Sequence, residues 1–460
     1  MSDVGSAAGT PAAQAGAPGP LRRAVLASTI GTSIEWYDYF AYGTVGALVF
    51  PQLFFPKASQ LSGTLDVFSI FFVGFIARPI GALIFGHYGD RIGRKATLIA
   101  TLLVMGIGTF LMGLLPGRNA IGVAAPLLLT FFRVCQGIGV GGEWGGSVIL
   151  SMEWGGNRRR GWFTSWPQFG VPVGLLLSTG VVALMQAVTT RAAFDSWGWR
   201  VVFLLSIVLV AIGLWIRLGI LETPVFQKLL DAQRIERQPM LEAIRQNWRE
   251  IILSAVLRLP EQAPFYIFTT FVYTFGEHLK IDRGFLLLAV IVAAIIELGG
   301  IPFFGDLSDR IGRKRMYLIG AAVMGVWGFV YFGLYATAVL PIVFAVVALS
   351  LIPHSMQYGT QAALIAENFT GRLRYSGASL GYQLASVIAG GPAPLIAAAI
   401  WGATLNPYLI GAYILLCAVL GFAATLIISD RSKHDITTEY DEQPQPQAAE
   451  QSETGPVVTH

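Results

Sequence analysis

The chain has 460 residues, 54% of them hydrophobic and only 13% charged, with a net charge of +4. A single soluble core rarely exceeds ~250–300 residues, and soluble proteins carry about 25% charged residues. Together with many apolar runs near the ~20 residues needed to cross ~30 Å of hydrocarbon, this excludes a water-soluble multidomain enzyme. Cys135 and Cys417 both lie inside apolar runs and imply no disulfide framework.

Residues 1–23 are rich in Ala, Gly and Pro and are predicted to form a disordered cytoplasmic tail. Apolar runs near 24–50, 66–86, 96–115, 125–148, 162–187 and 200–220 make a first half, 24–220. The first run is too long for a signal-peptide core and carries acids, so it is read as an uncleaved span. A polar central loop, 221–249, precedes runs near 250–275, 284–305, 316–336, 340–364, 378–400 and 407–429, the second half, 250–429. Residues 430–460, with seven acids and two bases, are predicted to be a second disordered tail. A cytoplasmic N-terminus places 21 of the 31 Lys+Arg in cytoplasmic segments, six in periplasmic loops and four within spans. The positive-inside rule therefore puts both termini in the cytoplasm; a plasma membrane, of a bacterium, is the expected location.

The halves repeat. Gly86-His-Tyr-Gly-Asp90-Arg91-Ile-Gly93-Arg94-Lys95 follows span 2, and Gly305-Asp-Leu-Ser-Asp309-Arg310-Ile-Gly312-Arg313-Lys314 follows span 8, every match offset by 219 residues. Parallel repeats place a substrate site between the halves near the bilayer midplane.

A charge at the centre of a span costs at least ~2.5–3.5 kcal/mol, so ionisable groups there are functional candidates. Glu35 and Asp38 share a helix face in span 1. At ~1.5 Å per residue Asp38 lies ~21 Å, and Arg133 of span 4 ~22 Å, from the cytoplasmic end. Two close acids repel when both ionise, which favours proton exchange, and an arginine offers a planar fork suited to carboxylate. Asp38, with Glu35, is the expected proton carrier. Arg133 binds the substrate carboxylate or competes for Asp38; a static ion pair fixing helix packing is the alternative. In the second half, Arg258, Glu261 and Gln262 of span 7 and Glu297 of span 8 form either a structural bridge or a substrate contact. Glu297 falls 219 residues after Arg78, so equivalent places carry opposite charge. Span 10 carries His354, Gln357, Tyr358 and Gln361, and span 11 Tyr382 and Gln383; these line a cavity or bond to neighbouring helices. Glycines at 137, 141 and 145 of span 4 are packing positions.

The repeated G-x-x-x-D-R-x-G-R-K loop resembles the signature of the major facilitator superfamily. Glu35-Trp-Tyr-Asp38-Tyr, Arg78-Pro-Ile-Gly, Arg133-Val-Cys-Gln136-Gly, Gly141-Gly-Glu143-Trp-Gly-Gly and Arg374-Tyr-Ser-Gly-Ala-Ser-Leu-Gly-Tyr382-Gln383 resemble its metabolite:proton symporter branch, with shikimate, α-ketoglutarate, citrate and proline/betaine carriers. The resemblance, over roughly 24–430, implies an all-α membrane protein of twelve transmembrane helices in two six-helix halves. It further implies proton-coupled import of a small organic acid, shikimate-like or a dicarboxylate, by alternating access. An osmolyte carrier of the proline/betaine kind, whose substrate an aromatic cage of Trp36, Tyr37 and Tyr39 would hold, is the alternative; a drug efflux antiporter is less favoured by spans 1 and 4. Candidate substrate contacts are Arg133, Gln136, Tyr37, Arg258, Gln357, Gln361, Tyr382 and Gln383.

In the family the loop stabilises the outward-facing state, which makes Asp90, Arg91 and Arg94, with their copies Asp309, Arg310 and Arg313, a gate latch. Asp90 suits a helix N-terminus, where the dipole favours an anion, and the arginines suit acids such as Glu143 or Glu153. No P-loop, nucleophile elbow, His pair at metal spacing or Cys cluster is present in the sequence. No enzyme activity, metal, cofactor or nucleic-acid partner is expected; the partners are a small substrate, protons and the lipid bilayer, with a monomer as the working unit.

Overall fold

Hydrocarbon offers the backbone no hydrogen bonds, so a spanning segment must satisfy its own, as a helix does. The computed structural model describes residues 18–92, 94–155, 159–218, 239–369 and 373–432, and every regular element among them is helical. The first half comprises α1 (Pro18–Leu48), α2 (Gln60–Ile92), α3 (Arg94–Leu114), α4 (Ala124–Ile149), α5 (Arg160–Val188) and α6 (Arg191–Leu218). In the second half, α7 runs from Pro239–Leu257 through Leu259–Tyr266 to Val272–His278. It is followed by α8 (Arg283–Ile311), α9 (Arg313–Tyr335), α10 (Leu340–Ala366), α11 (Arg374–Thr404) and α12 (Pro407–Ile427). This is the predicted arrangement of twelve helices in two halves. α1 starts and α12 ends on one face, the termini face; the opposite one is the far face.

Among the described residues, ten of these helices are long and apolar enough to cross a membrane; α1 and α7 are not. Both carry acids and aromatic hydroxyls along their middles. Both are also enclosed by protein, at 31–48 in α1 and 257–276 in α7, so neither needs a lipid-compatible surface there. Lipid is met instead by residues such as Leu127, Phe131, Trp215 and Val326 on other helices. The halves meet where α5 packs along α8 and α2 along α11.

Two boundaries differ from expectation. α1 begins at Pro18, inside the predicted tail, with proline at the first helical position, where its missing N–H costs nothing. α7 begins at Pro239, inside the predicted loop, and breaks at Asn247 (φ −125°, ψ 27°) before entering the bundle. Leu241, Ile244 and Trp248 are exposed at helical spacing there, the pattern of a segment lying at a membrane surface. The remainder of both tails and of the central loop lies outside the described residues.

The α4 glycines let α2 approach closely. A Cβ on Gly137 would stand 2.0 Å from the Gly74 carbonyl oxygen, and one on Gly141 2.0 Å from that of Arg78. Overpacking of this kind costs about 1–3 kcal/mol. Gly141→Val is therefore expected to lower the melting temperature in detergent by roughly 5 °C or more. Wild-type melting would show that α2 moves aside without cost.

Candidate functional site

Where α1, α2 and α4 face one another, two arginines lie buried without an acid. Arg133 donates to Gln136 Oε1, and its guanidinium lies over Tyr39 (3.8 Å) and Tyr42 (4.4 Å). Arg78 lies over the other side of the same aromatic group, 4.2 Å from Tyr39 and 5.3 Å from Trp36, and reaches Ser386 Oγ of α11 at 3.4 Å. Nε and Nη2 of both have no aligned acceptor; the Tyr39 hydroxyl is the polar group beside Arg78. Asp38 is fully buried but makes no ion pair with Arg133. Gln136 stands between them, donating to the Asp38 backbone carbonyl (2.9 Å) and to Thr109 Oγ1 (2.8 Å). Neither carboxyl oxygen of Asp38 has an aligned hydrogen bond, Thr109 being the side-chain donor beside it. A carboxylate there is an uncompensated buried charge, and the acid form is not.

Glu35 turns toward the termini face and pairs with Arg217 of α6 (3.5 Å), which also holds Glu143 (2.5 Å). Glu143 is thereby held by Arg217. Arg217 was the missed partner. As one of four basic residues within spans, it required a counter-charge that helical spacing alone cannot name.

In the second half Arg258 pairs with Glu261 (3.2 Å), donates to Gln361 Oε1 (3.1 Å) and the Tyr382 carbonyl (2.7 Å), and stacks 3.4 Å over the Tyr382 ring. Of the two bridges anticipated for Arg258, the one to Glu261 forms; Glu297 is instead hydrogen-bonded by His354 Nδ1. Trp36, Arg258, Glu261, Tyr266, His354 and Tyr382 surround a central cavity of about 10 Å³, room for a single water. Some candidate contacts point elsewhere. The Tyr37 hydroxyl donates to the Val202 carbonyl (2.7 Å) and Gln383 to that of Gly141 (3.2 Å). Gln357 ties α10 to α7 and α9 through the Pro260 and Gly320 carbonyls, both at 3.4 Å.

Each face of the molecule is closed by ions that join the halves. On the termini face Asp309 accepts from the Gly161 and Trp162 N–H groups, both at 2.9 Å, at the N-terminus of α5. The orphan donors and the dipole of that helix end favour an anion. Arg313 pairs with Asp309 (2.9 Å) and with Glu367 (3.1 Å), and Arg160 reaches Glu367 from the first half (3.2 Å). Arg310 lies on the rim, 2.5 Å from Asp306. The side chains of Asp90, Arg91, Arg94 and Glu153 lie outside the described residues. Glu367, in no repeated motif, was missed. On the far face Arg283 of α8 pairs with Glu277 (3.5 Å) and with Asp195 of the other half (3.7 Å), beside a vestibule of about 870 Å³ that Gln186 and Lys280 also line.

Two six-helix halves around a charged centre, latched by ions at both faces, define a multi-pass membrane transporter. A profile of the Major Facilitator Superfamily matches residues 29–377 and 261–449, and the chain belongs to that family. The shikimate transporter of Escherichia coli (strain K12) is 42% identical over 383 residues, 82% of this chain and 87% of that one. The proline/betaine transporter of the same strain is 30% identical over 430 residues, 91% of this chain and 85% of that one. The structure of the proton:xylose symporter XylE bound to 6-bromo-6-deoxy-D-glucose has a TM-score of 0.71 at 18% identity, covering 92% of this chain and 99% of that chain, a likeness of fold.

Burial pushes the Glu367 carboxyl from its ordinary 4.5 up to about 7, against the pull of Arg313 and Arg160. Over that interval the closed latch keeps a proton that an open, solvated Glu367 gives up. By linkage, acid favours closure, and the closed state loses this contribution as pH rises from about 4.5 through about 7. Labelling of Ser165→Cys, in a background with Cys135 and Cys417 changed to Ala and divided at each pH by the labelling rate of a free thiol, should therefore speed up across that window. The dependence should vanish in Glu367→Gln; a flat wild-type profile would remove Glu367 from the latch's pH response.

Proposed function

We propose that the chain is a proton-coupled symporter that carries a shikimate-like organic acid into the bacterial cytoplasm by alternating access, with both termini inside. One observation carries this reading: Arg78 and Arg133 are buried at the centre with guanidinium N–H groups unmatched and no acid paired to either. A buried cation left unpaired is expensive, and a carboxylate accepted by a planar fork is the ligand that relieves it. The relative named as a shikimate transporter supports the same substrate class. Arg133 and Arg78 bind the carboxylate, Gln136 orients Arg133, and Arg258 with Gln361 and Tyr382 completes the site from the second half. Asp38, with no cation of its own, carries the proton. Glu35 belongs with the Arg217–Glu143 group between the centre and the termini-face latch. The Asp309, Arg313 and Glu367 contacts gate the cytoplasmic side, and the protein works as a monomer.

In the osmolyte reading the aromatic faces of Trp36 and Tyr39 would cage a quaternary ammonium. Those faces already carry the guanidiniums of Arg78 and Arg133, which repel a cation.

Uptake into proteoliposomes under an imposed pH gradient tests the proposal. Shikimate or a related acid should accumulate, and Arg133→Lys should lower its apparent affinity roughly 10–100-fold, since an ammonium cannot reproduce the fork. Competition by betaine or proline with none by organic acids would overturn the substrate class. Asp38→Asn should lose gradient-driven accumulation while retaining counterflow; full accumulation would take Asp38 out of the proton path.

A further inference from the structure

We propose that Glu261, His354 and Glu297, in the half opposite Asp38, form a second proton-binding site that couples to the substrate site through Arg258. The inference rests on the symport reading above, but its evidence is the geometry of a cluster that reading does not use.

Both ring nitrogens of His354 face carboxylates. Nδ1 is hydrogen-bonded with Glu297 Oε1, and Nε2 lies 3.5 Å from Glu261 Oε1. A neutral imidazole has one N–H donor and one lone pair, so one of these contacts would set a nitrogen lone pair against a carboxylate lone pair. The arrangement is attractive on both sides only if one more proton is present, on the ring or on one carboxyl. Charge counting agrees. Arg258 supplies one positive charge against the two carboxylates, and the group becomes neutral only on gaining that proton. All four side chains are enclosed, with exposures of 0–2%, so no bulk water screens the imbalance.

No other charged side chain touches the cluster; Arg78 of the other half stands beyond Tyr266 and Tyr382, at Ser386. On α7, Arg258 is held by Glu261, Gln361 and the Tyr382 carbonyl. On α10 itself, Tyr358 stacks on the His354 ring at 4.8 Å, and on α11 the Tyr382 hydroxyl meets that of Tyr358 at 3.1 Å. From α9 the Tyr317 hydroxyl is spent on the Leu257 carbonyl (2.7 Å), and from α5 Gln168 reaches the Tyr358 carbonyl (3.5 Å). Phe265 covers the ring from α7, its centroid 4.4 Å away. The second oxygens of Glu261 and Glu297 have no partner, so each acid has an open acceptor position for the proton.

Position supplies the coupling. Arg258, Glu261 and His354 border the central cavity, whereas Glu297 lies behind them on α8. An anion arriving at Arg258 competes with Glu261 for the guanidinium and adds negative charge beside the cluster. Both effects favour uptake of a proton from the water to which the cavity is then open. Departure of the anion returns Glu261 to Arg258 and expels the proton by the same route. Substrate and proton then load and leave together.

The test uses the full chain in proteoliposomes, with shikimate as the probe and size-exclusion chromatography as the folding check. Glu297→Gln should exchange shikimate in counterflow within about 3-fold of wild type, while pH-gradient-driven accumulation falls at least about 10-fold and its pH profile flattens. Glu297→Asp, which keeps a titratable carboxyl, should restore much of the accumulation. His354→Gln, read for accumulation alone, should lose it as well, so a folding failure at one position leaves the other to decide. Undiminished accumulation with a wild-type pH profile in either folded variant overturns the second site and leaves the symport reading standing. Loss of counterflow together with accumulation in folded Glu297→Gln also overturns it, by making the cluster part of the carrier's framework. Wild-type protein that exchanges shikimate but never concentrates it overturns symport itself, and this site with it, a result visible without any variant.

Discussion

A buried charge must be met by another charge, by hydrogen bonds, or by a proton, and the centre of this molecule is arranged around that requirement. Four of the buried arginines lie within the apolar runs, and they are met in two different ways. Arg217 and Arg258 have carboxylates of their own. Arg78 and Arg133 rest on aromatic faces, which offer a cation some attraction but satisfy none of its N–H donors. The first half thus has cationic capacity to spare at its centre, while the second has an excess of carboxylate around His354. The positions related by the internal repeat, Arg78 and Glu297, carry that contrast in a single pair.

Closure at both faces follows from the same physics on a smaller energy scale. On the termini face, a carboxylate from one half completes the N-terminus of a helix in the other, and two arginines converge on Glu367. On the far face the link is the looser, more exposed Arg283–Asp195 pair. Ion pairs near water contribute at most about 1 kcal/mol, whereas removing one partner from a buried pair costs about 3–5 kcal/mol. The termini face is therefore the more firmly held of the two. The central cavity admits one water, so nothing the size of a metabolite fits among Trp36, Arg258, Glu261 and His354 until these side chains move apart.

α1 and α7 explain why the fold tolerates so much polarity at its core. Each opens its half, and each is surrounded by other helices instead of lipid over its central turns. Lipid-facing helices have to be apolar; these two are free to carry Glu35 and Asp38, and Arg258 and Glu261. The lower apolarity that sets them apart in the sequence is thus a marker of central position.

The number of spans, their grouping and the repeated loop motifs were legible in the sequence because each depends on local order: hydrophobic run length, a repeat at fixed offset, and charge placement. The burial of charges at depth was legible too, since a span's length places every residue along the membrane normal. What it does not give is azimuth and reach, and these decide partners. Glu35 and Asp38 share a helix face, yet Glu35 extends to Arg217, from a helix more than 180 residues away in sequence. Glu143 looked like a latch acid and is held by the same arginine, Glu297 is met by His354 and not by Arg258, and Tyr37 turns outward to α6 while its neighbours Trp36 and Tyr39 face the centre. Glu367 belongs to no motif and acquires its place only when α5, α9 and α10 converge on it. By itself the sequence determined how many helices cross the membrane and which charges they must bury. Only the tertiary structure decided which of those charges neutralise one another and which, at the centre, are left for a ligand or a proton, because that depends on the rotation of each helix about its axis and on the reach of side chains across helix pairs.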